Sequence, residues 1–78
     1  MIIEGRIVSV METWPLQLAV QGEGSVVHVQ LTDQTSLLRG GSAIDPGEIS
    51  PSMRVEVKGQ PLAGDPSALI ADSVRVLD

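Results

Sequence analysis

Met53-Arg54-Val55-Glu56-Val57-Lys58-Gly59 carries apolar residues at 53, 55 and 57 and charged residues at 54, 56 and 58. A strict period of two buries one face and wets the other, which marks a strand and not a helix. Gly59 and Pro61 are expected to end that strand and open a turn. No other segment sets its register so cleanly, so the rest of the chain is read outward from it.

Toward the start of the chain, Glu4 to Val10 reads as strand one, with Ile3, Gly5 and Ile7 on one face. The phase then slips, because Val8 and Val10 fall on the other face. A bulge near Val8-Ser9 would restore both. Gly5 is a place where another backbone can come close. Met11 to Pro15 is the first connection, and Pro15 stands at the start of strand two, where it costs no central ladder bond. Leu16, Leu18 and Val20 alternate with Gln17, Ala19 and Gln21. Gly22-Glu23-Gly24-Ser25 forms a hairpin turn. Val27, Val29 and Leu31 then alternate with His28, Gln30 and Thr32, as strand three antiparallel to strand two.

Thr32-Asp33-Gln34-Thr35 closes that strand with turn formers. Ser36 to Ile49 is the least regular part of the chain. Leu37 and Leu38 suggest one anchored turn, and Gly40, Gly41, Pro46 and Gly47 exclude a long helix. The segment is expected to be a crossover loop capping the core, pinned to one end of the barrel by Ile44 and Ile49. Strand four runs from Met53 to Lys58, and Gln60 to Ser67 reads as a turn region. Ala68 to Leu77 is strand five. Ile70, Val74 and Val76 share one phase there, and Leu69, Ala71 and Leu77 the other. A second bulge near Asp72-Ser73 would leave Ala71, Val74 and Val76 inward.

Three hairpin-connected strands, a long connection and two more strands describe an all-β domain spanning residues 1–78. The pattern fits a small five-stranded Greek-key barrel of the OB type. Closure would remove the edges that a short open sheet exposes; a flat meander and an SH3-like barrel are the rivals. A chain of 78 residues has a thin core, burying roughly 60% of its unfolded surface. There is no cysteine, so neither a disulfide nor a thiol-ligated metal contributes. Val, Ile and Leu supply the core, since Phe and Tyr are absent and Trp14 is the sole aromatic. The net charge of −5 disfavours nucleic-acid backbones and anionic membrane surfaces as partners. No apolar run approaches the ~20 residues of a membrane span. Met1-Ile2-Ile3-Glu4 lacks the basic start and apolar core of a signal peptide.

The layout Gly5-x-Ile7-x-x-Val10, Leu16-x-Leu18-x-Val20, Val27-x-Val29 and Thr32-Asp33-x-Thr35 resembles a bacterial family of uncharacterised small OB-like barrel domains. Met53-x-Val55-x-Val57-x-Gly59 and Ala71-x-x-Val74-x-Val76 extend the resemblance over nearly the whole chain. Ser52 departs from it, standing where that family commonly has Gly-Asp. The resemblance implies the barrel, a bacterial source and often export; it implies no catalytic motif.

No constellation for catalysis is present in the sequence. His28 is the single histidine and is expected to point outward from strand three, without the partners that a base or metal ligand needs. No Gly-x-Ser-x-Gly elbow occurs, and Gly22-Glu23-Gly24 and Gly40-Gly41 lack the Gly-Lys-Ser/Thr of a phosphate loop. Asp45-Pro46-Gly47-Glu48 lacks the alternating oxygen ligands of a calcium loop. The expectation is a protein that is not an enzyme and uses no cofactor or metal. Two surfaces stand as binding candidates. The first joins Trp14, read mainly as a lid on the barrel end and alternatively as a stacking platform, to Gln17, Gln21, His28 and Gln30 on strands two and three. The second is the basic set Arg6, Arg54, Lys58 and Arg75 on strands one, four and five. Glu4, Glu56 and Asp72 lie among them, so a lattice of cross-strand ion pairs is the plainer reading. The lead functional reading is an accessory or protein-interaction domain. The alternative is an oligonucleotide- or oligosaccharide-binding module using strands two and three with Trp14, and a third reading is a structural spacer in a longer exported protein.

Overall fold

The alternation at 53–58 becomes the first half of a longer strand in the computed structural model, which describes residues 1–13, 16–63 and 65–78. The strands are β1 (Ile2–Met11), β2 (Gln17–Gln21), β3 (Val26–Gln30), β4 (Ser36–Arg39), β5 (Ser42–Ala43), β6 (Arg54–Leu62) and β7 (Asp65–Val76). A 3₁₀ turn, Pro46–Glu48, precedes β6. Neighbouring strands run in the order β3-β2-β1-β6-β7-β4-β5, and β3 also pairs with β7. That last pairing closes β1, β2, β3, β7 and β6 into a five-stranded barrel of OB-like topology. The closing pair is parallel and joins His28, Val29 and Gln30 to Ala68, Leu69 and Ile70.

The inward positions are almost entirely aliphatic. Ile7, Leu18, Val20, Val29, Val55, Val57, Leu69 and Val74 are all but inaccessible to solvent. No polar or charged side chain is buried among the described residues. A five-stranded barrel has a narrow interior that β-branched and leucine side chains fill without voids.

Both expected bulges are present. The β1–β2 register shifts between Ile7 and Ser9, which leaves Val8 as the extra residue. The shift turns Val10 toward the core, but Val8 itself stays 54% exposed and does not join it. On β7 the register passes from Lys58↔Ser73 to Gly59↔Ala71, so Asp72 is the extra residue, and Ala71, Val74 and Val76 lie inward as expected.

Two expectations are overturned. Gly59 does not end the fourth barrel strand: β6 continues through Pro61 to Leu62, and β7 begins at Asp65, so strand occupies most of the expected turn region 60–67. Gly59 is buried, and a Cβ there would collide with the Ile70 carbonyl oxygen across the β6–β7 ladder. Glycine therefore marks a close backbone approach and not a strand end. Gly5 does the same on β1, where a Cβ would meet the Gln21 carbonyl oxygen. The segment 36–49 is also more than a loop. Its β4 pairs in parallel with Ser73–Val76 of β7, and β5 folds back on β4 through Gly40 and Gly41, both at positive φ. Ile49 is buried and Ile44 packs against the core, so both anchor the segment as expected.

Gly59→Ala is expected to destabilise the domain by about 1–3 kcal/mol, because the clash is with backbone that cannot swing aside. Gly47→Ala, whose Cβ would meet nothing within 4 Å, should stay within about 0.5 kcal/mol of the parent. Urea unfolding of the three proteins measures the contrast.

Candidate binding face and end cavity

Alternation along β2 and β3, fixed by their antiparallel register, puts Gln17, Ala19, His28 and Gln30 on the outer wall of the barrel. Gln17 stands opposite Gln30, and Ala19 opposite His28. His28 is exposed as expected, and its Nε2 lies 3.1 Å from Gln17 Oε1 in a diagonal hydrogen bond. Gln21 turns away from this group and donates to the Gly22 and Ser25 carbonyls of the hairpin. Trp14, the aromatic member of the expected site, lies outside the described residues.

Pairing with β1 and β7 widens the face beyond what alternation alone showed. Ser9 stands opposite Ala19, and Met11 opposite Gln17. On the other side Ala68 stands opposite His28, and Ile70 opposite Gln30. Two rows thus cross four strands, Ser9–Ala19–His28–Ala68 and Met11–Gln17–Gln30–Ile70. Neither contains an acidic residue, a lysine or an arginine. Met11 is 50% exposed at the edge of the second row.

The expected basic set lies on another part of the barrel wall, where β1, β6 and β7 are neighbours. Arg54 pairs with Glu4 at 3.4 Å, one step diagonally across β1–β6, and Arg75 pairs with Glu56 directly opposite at 3.1 Å. Arg6 donates from Nη1 to the Ser52 carbonyl at 2.7 Å. Lys58 makes no ion pair among the described residues. Three of the four cations are thus engaged within the fold. Exposed pairs of this kind contribute little stability, typically ~0.2–1 kcal/mol each.

Arg6 also bears on local backbone strain. Ser52 has φ of 77°, a left-handed conformation that disfavours a side chain. It is held there from both sides: its N–H donates to the Ile7 carbonyl, and its own carbonyl accepts from Arg6.

A cavity of about 370 Å³ opens at the end of the barrel beyond the Gln17–Gln30 pair. Leu16, Leu31 and Leu37 form an apolar floor, and the β3–β4 connection and the β4–β5 hairpin form its walls. The connection is stitched by Thr35. Its hydroxyl accepts from the Thr32 N–H at 2.8 Å and donates to the Ala71 carbonyl at 2.7 Å. Ala71 precedes the β7 bulge, where that strand leaves β3 and has not yet met β4. The Thr35 hydroxyl therefore supplies a hydrogen bond at the point where the sheet cannot.

The described residues contain no group of three or more metal-ligating side chains, and no helix among them is long and apolar enough to cross a membrane. Fold and surface together define a small closed OB-like β-barrel with one uncharged and one ion-paired wall. Set against known proteins, the sequence matches no family model and no curated protein.

Thr35→Val, which keeps the shape and deletes the hydroxyl, should cost about 1–3 kcal/mol by orphaning the Ala71 carbonyl, while Thr35→Ser should recover most of it in thermal unfolding. Ser52→Gly should stabilise the domain by about 0.5–1 kcal/mol, since relief of the left-handed strain exceeds the added chain entropy; a lower melting temperature would contradict this.

Proposed function

We propose that the domain is a non-enzymatic binding module whose partner is a protein segment lying across β2 and β3. The observation that carries this reading is the uncharged pair of rows from Ser9 and Met11 to Ala68 and Ile70. Glutamine amides there can donate to and accept from an extended peptide, and Met11, Ala19, Ala68 and Ile70 provide apolar contact between them. A phosphate backbone needs lysine and arginine along its path, and the cations Arg6, Arg54 and Arg75 are bonded on another part of the barrel wall. The resemblance to small bacterial OB-like domains without a catalytic motif supports an accessory role. An oligosaccharide is the second reading, favoured by the amide side chains of Gln17 and Gln30 standing side by side.

The test is an amide NMR titration of the labelled domain with a pool of uncharged extended peptides, short single-stranded DNA and RNA, and a mixed oligosaccharide pool. Peptides are expected to move the Gln17, His28 and Gln30 signals, with an affinity that changes little between low and high salt. Binding of single strands that collapses as salt rises would overturn the proposal in favour of a nucleic-acid module. Shifts with saccharides alone would establish the second reading, and no shift with any of them would sink both.

A further inference from the structure

We propose that the end cavity is a binding site for an alkylammonium group. Its floor is made of Leu16, Leu31 and Leu37, and Ile44 lies on the wall. Such a surface is poorly served by water and well served by methylene groups. The rim carries the polar groups. Thr32 and Thr35 hydroxyls are already engaged with each other and with backbone. Asp33, an exposed residue, is the one charged residue that lines the cavity, and its carboxylate makes no hydrogen bond or ion pair among the described residues. No lysine, arginine or histidine lines it. An occupant is thus selected twice: an aliphatic stem fits the floor, and a cationic head fits a rim whose one charge is negative. An anion would meet an unpaired carboxylate and no donor of opposite charge. The volume, about 370 Å³, lies at the lower end of the range for small-molecule sites. The same group can come from a free amine or from the lysine of a partner protein. The site stands independently of the proposed role of the β2–β3 face.

The experiment is a methyl NMR titration of the whole domain with n-pentylammonium, n-pentanol and n-pentanoate, which share a stem and differ in the head. The ammonium should produce saturable shifts at the Leu31, Leu37 and Ile44 methyls, followed by the alcohol, and the carboxylate should bind weakest. Asp33→Asn should weaken the ammonium by about fivefold, the scale of an exposed ion pair, and leave the alcohol unchanged. Ala43→Leu, a change at an exposed β5 position on the cavity wall, should fill the space and abolish the shifts while the amide spectrum stays folded. Equal affinity for carboxylate and ammonium would overturn the proposal, as would unmoved methyls up to the solubility limit. A final arm with N-acetyl-lysine methylamide separates the sources. Tighter binding than the free amine supports a partner's lysine, and weaker binding supports a small-molecule amine.

Discussion

β7 has to satisfy more neighbours than one straight strand can. One of its edges bonds to β6 along most of its length, while the other bonds first to β3 and then to β4. The change of partner falls between Ile70 and Ser73, and the extra residue Asp72 sits inside that gap. A bulge bends and twists a strand locally, so the two halves of β7 can face two different neighbours. The cost is an interrupted ladder, which the Thr35 hydroxyl makes good at Ala71. The connection that carries Thr35 is thereby fixed against the barrel, and the end cavity exists because that connection and the β4–β5 hairpin are held where they are.

A second constraint is space. The barrel closes with no phenylalanine or tyrosine anywhere in the chain, so its walls come near one another. At Gly5 and Gly59 an opposing carbonyl occupies the volume a side chain would need. The two glycines lie on β1 and β6, the strands of one pair, and each faces a carbonyl of the strand on its far side, Gln21 on β2 and Ile70 on β7, so the ladders on either side of that pair can close inward. The aliphatic core is then the consequence of a small radius, and among the described residues no charged side chain is buried.

The features legible in the sequence were those with a local signature. The alternation of residues 53–58 and the phase slips near Val8 and Asp72 each show within a few residues, and the structure bears them out. The outward placement of Gln17, His28 and Gln30 follows from alternation plus one hairpin. Pairings between distant segments left no such mark. Nothing near Ser36–Arg39 announces that it will lie parallel to residues 73–76, and nothing near Ala68 or Ile70 places them beside His28 and Gln30. The continuation of β6 through Gly59 and Pro61 is hidden for a related reason. The sequence displays a missing Cβ, but not the Ile70 carbonyl that fills its place. The apolar floor of the cavity was likewise visible only as core leucines, because a cavity is defined by the elements around it.

The parallel pairings of β7 also set an order of events in folding. β1, β2 and β3 form a meander of neighbouring hairpins and can pair as they leave the ribosome, whereas β3–β7 and β4–β7 join segments about forty residues apart and wait for residues 65–76 to emerge. Until then the outer edge of β3 has no partner, and a nascent chain presents it to whatever strand is at hand. Loop closure over such separations slows folding to the millisecond-to-second range typical of small β-barrels. An edge left open until residues 65–76 arrive is the exposure this topology builds into synthesis.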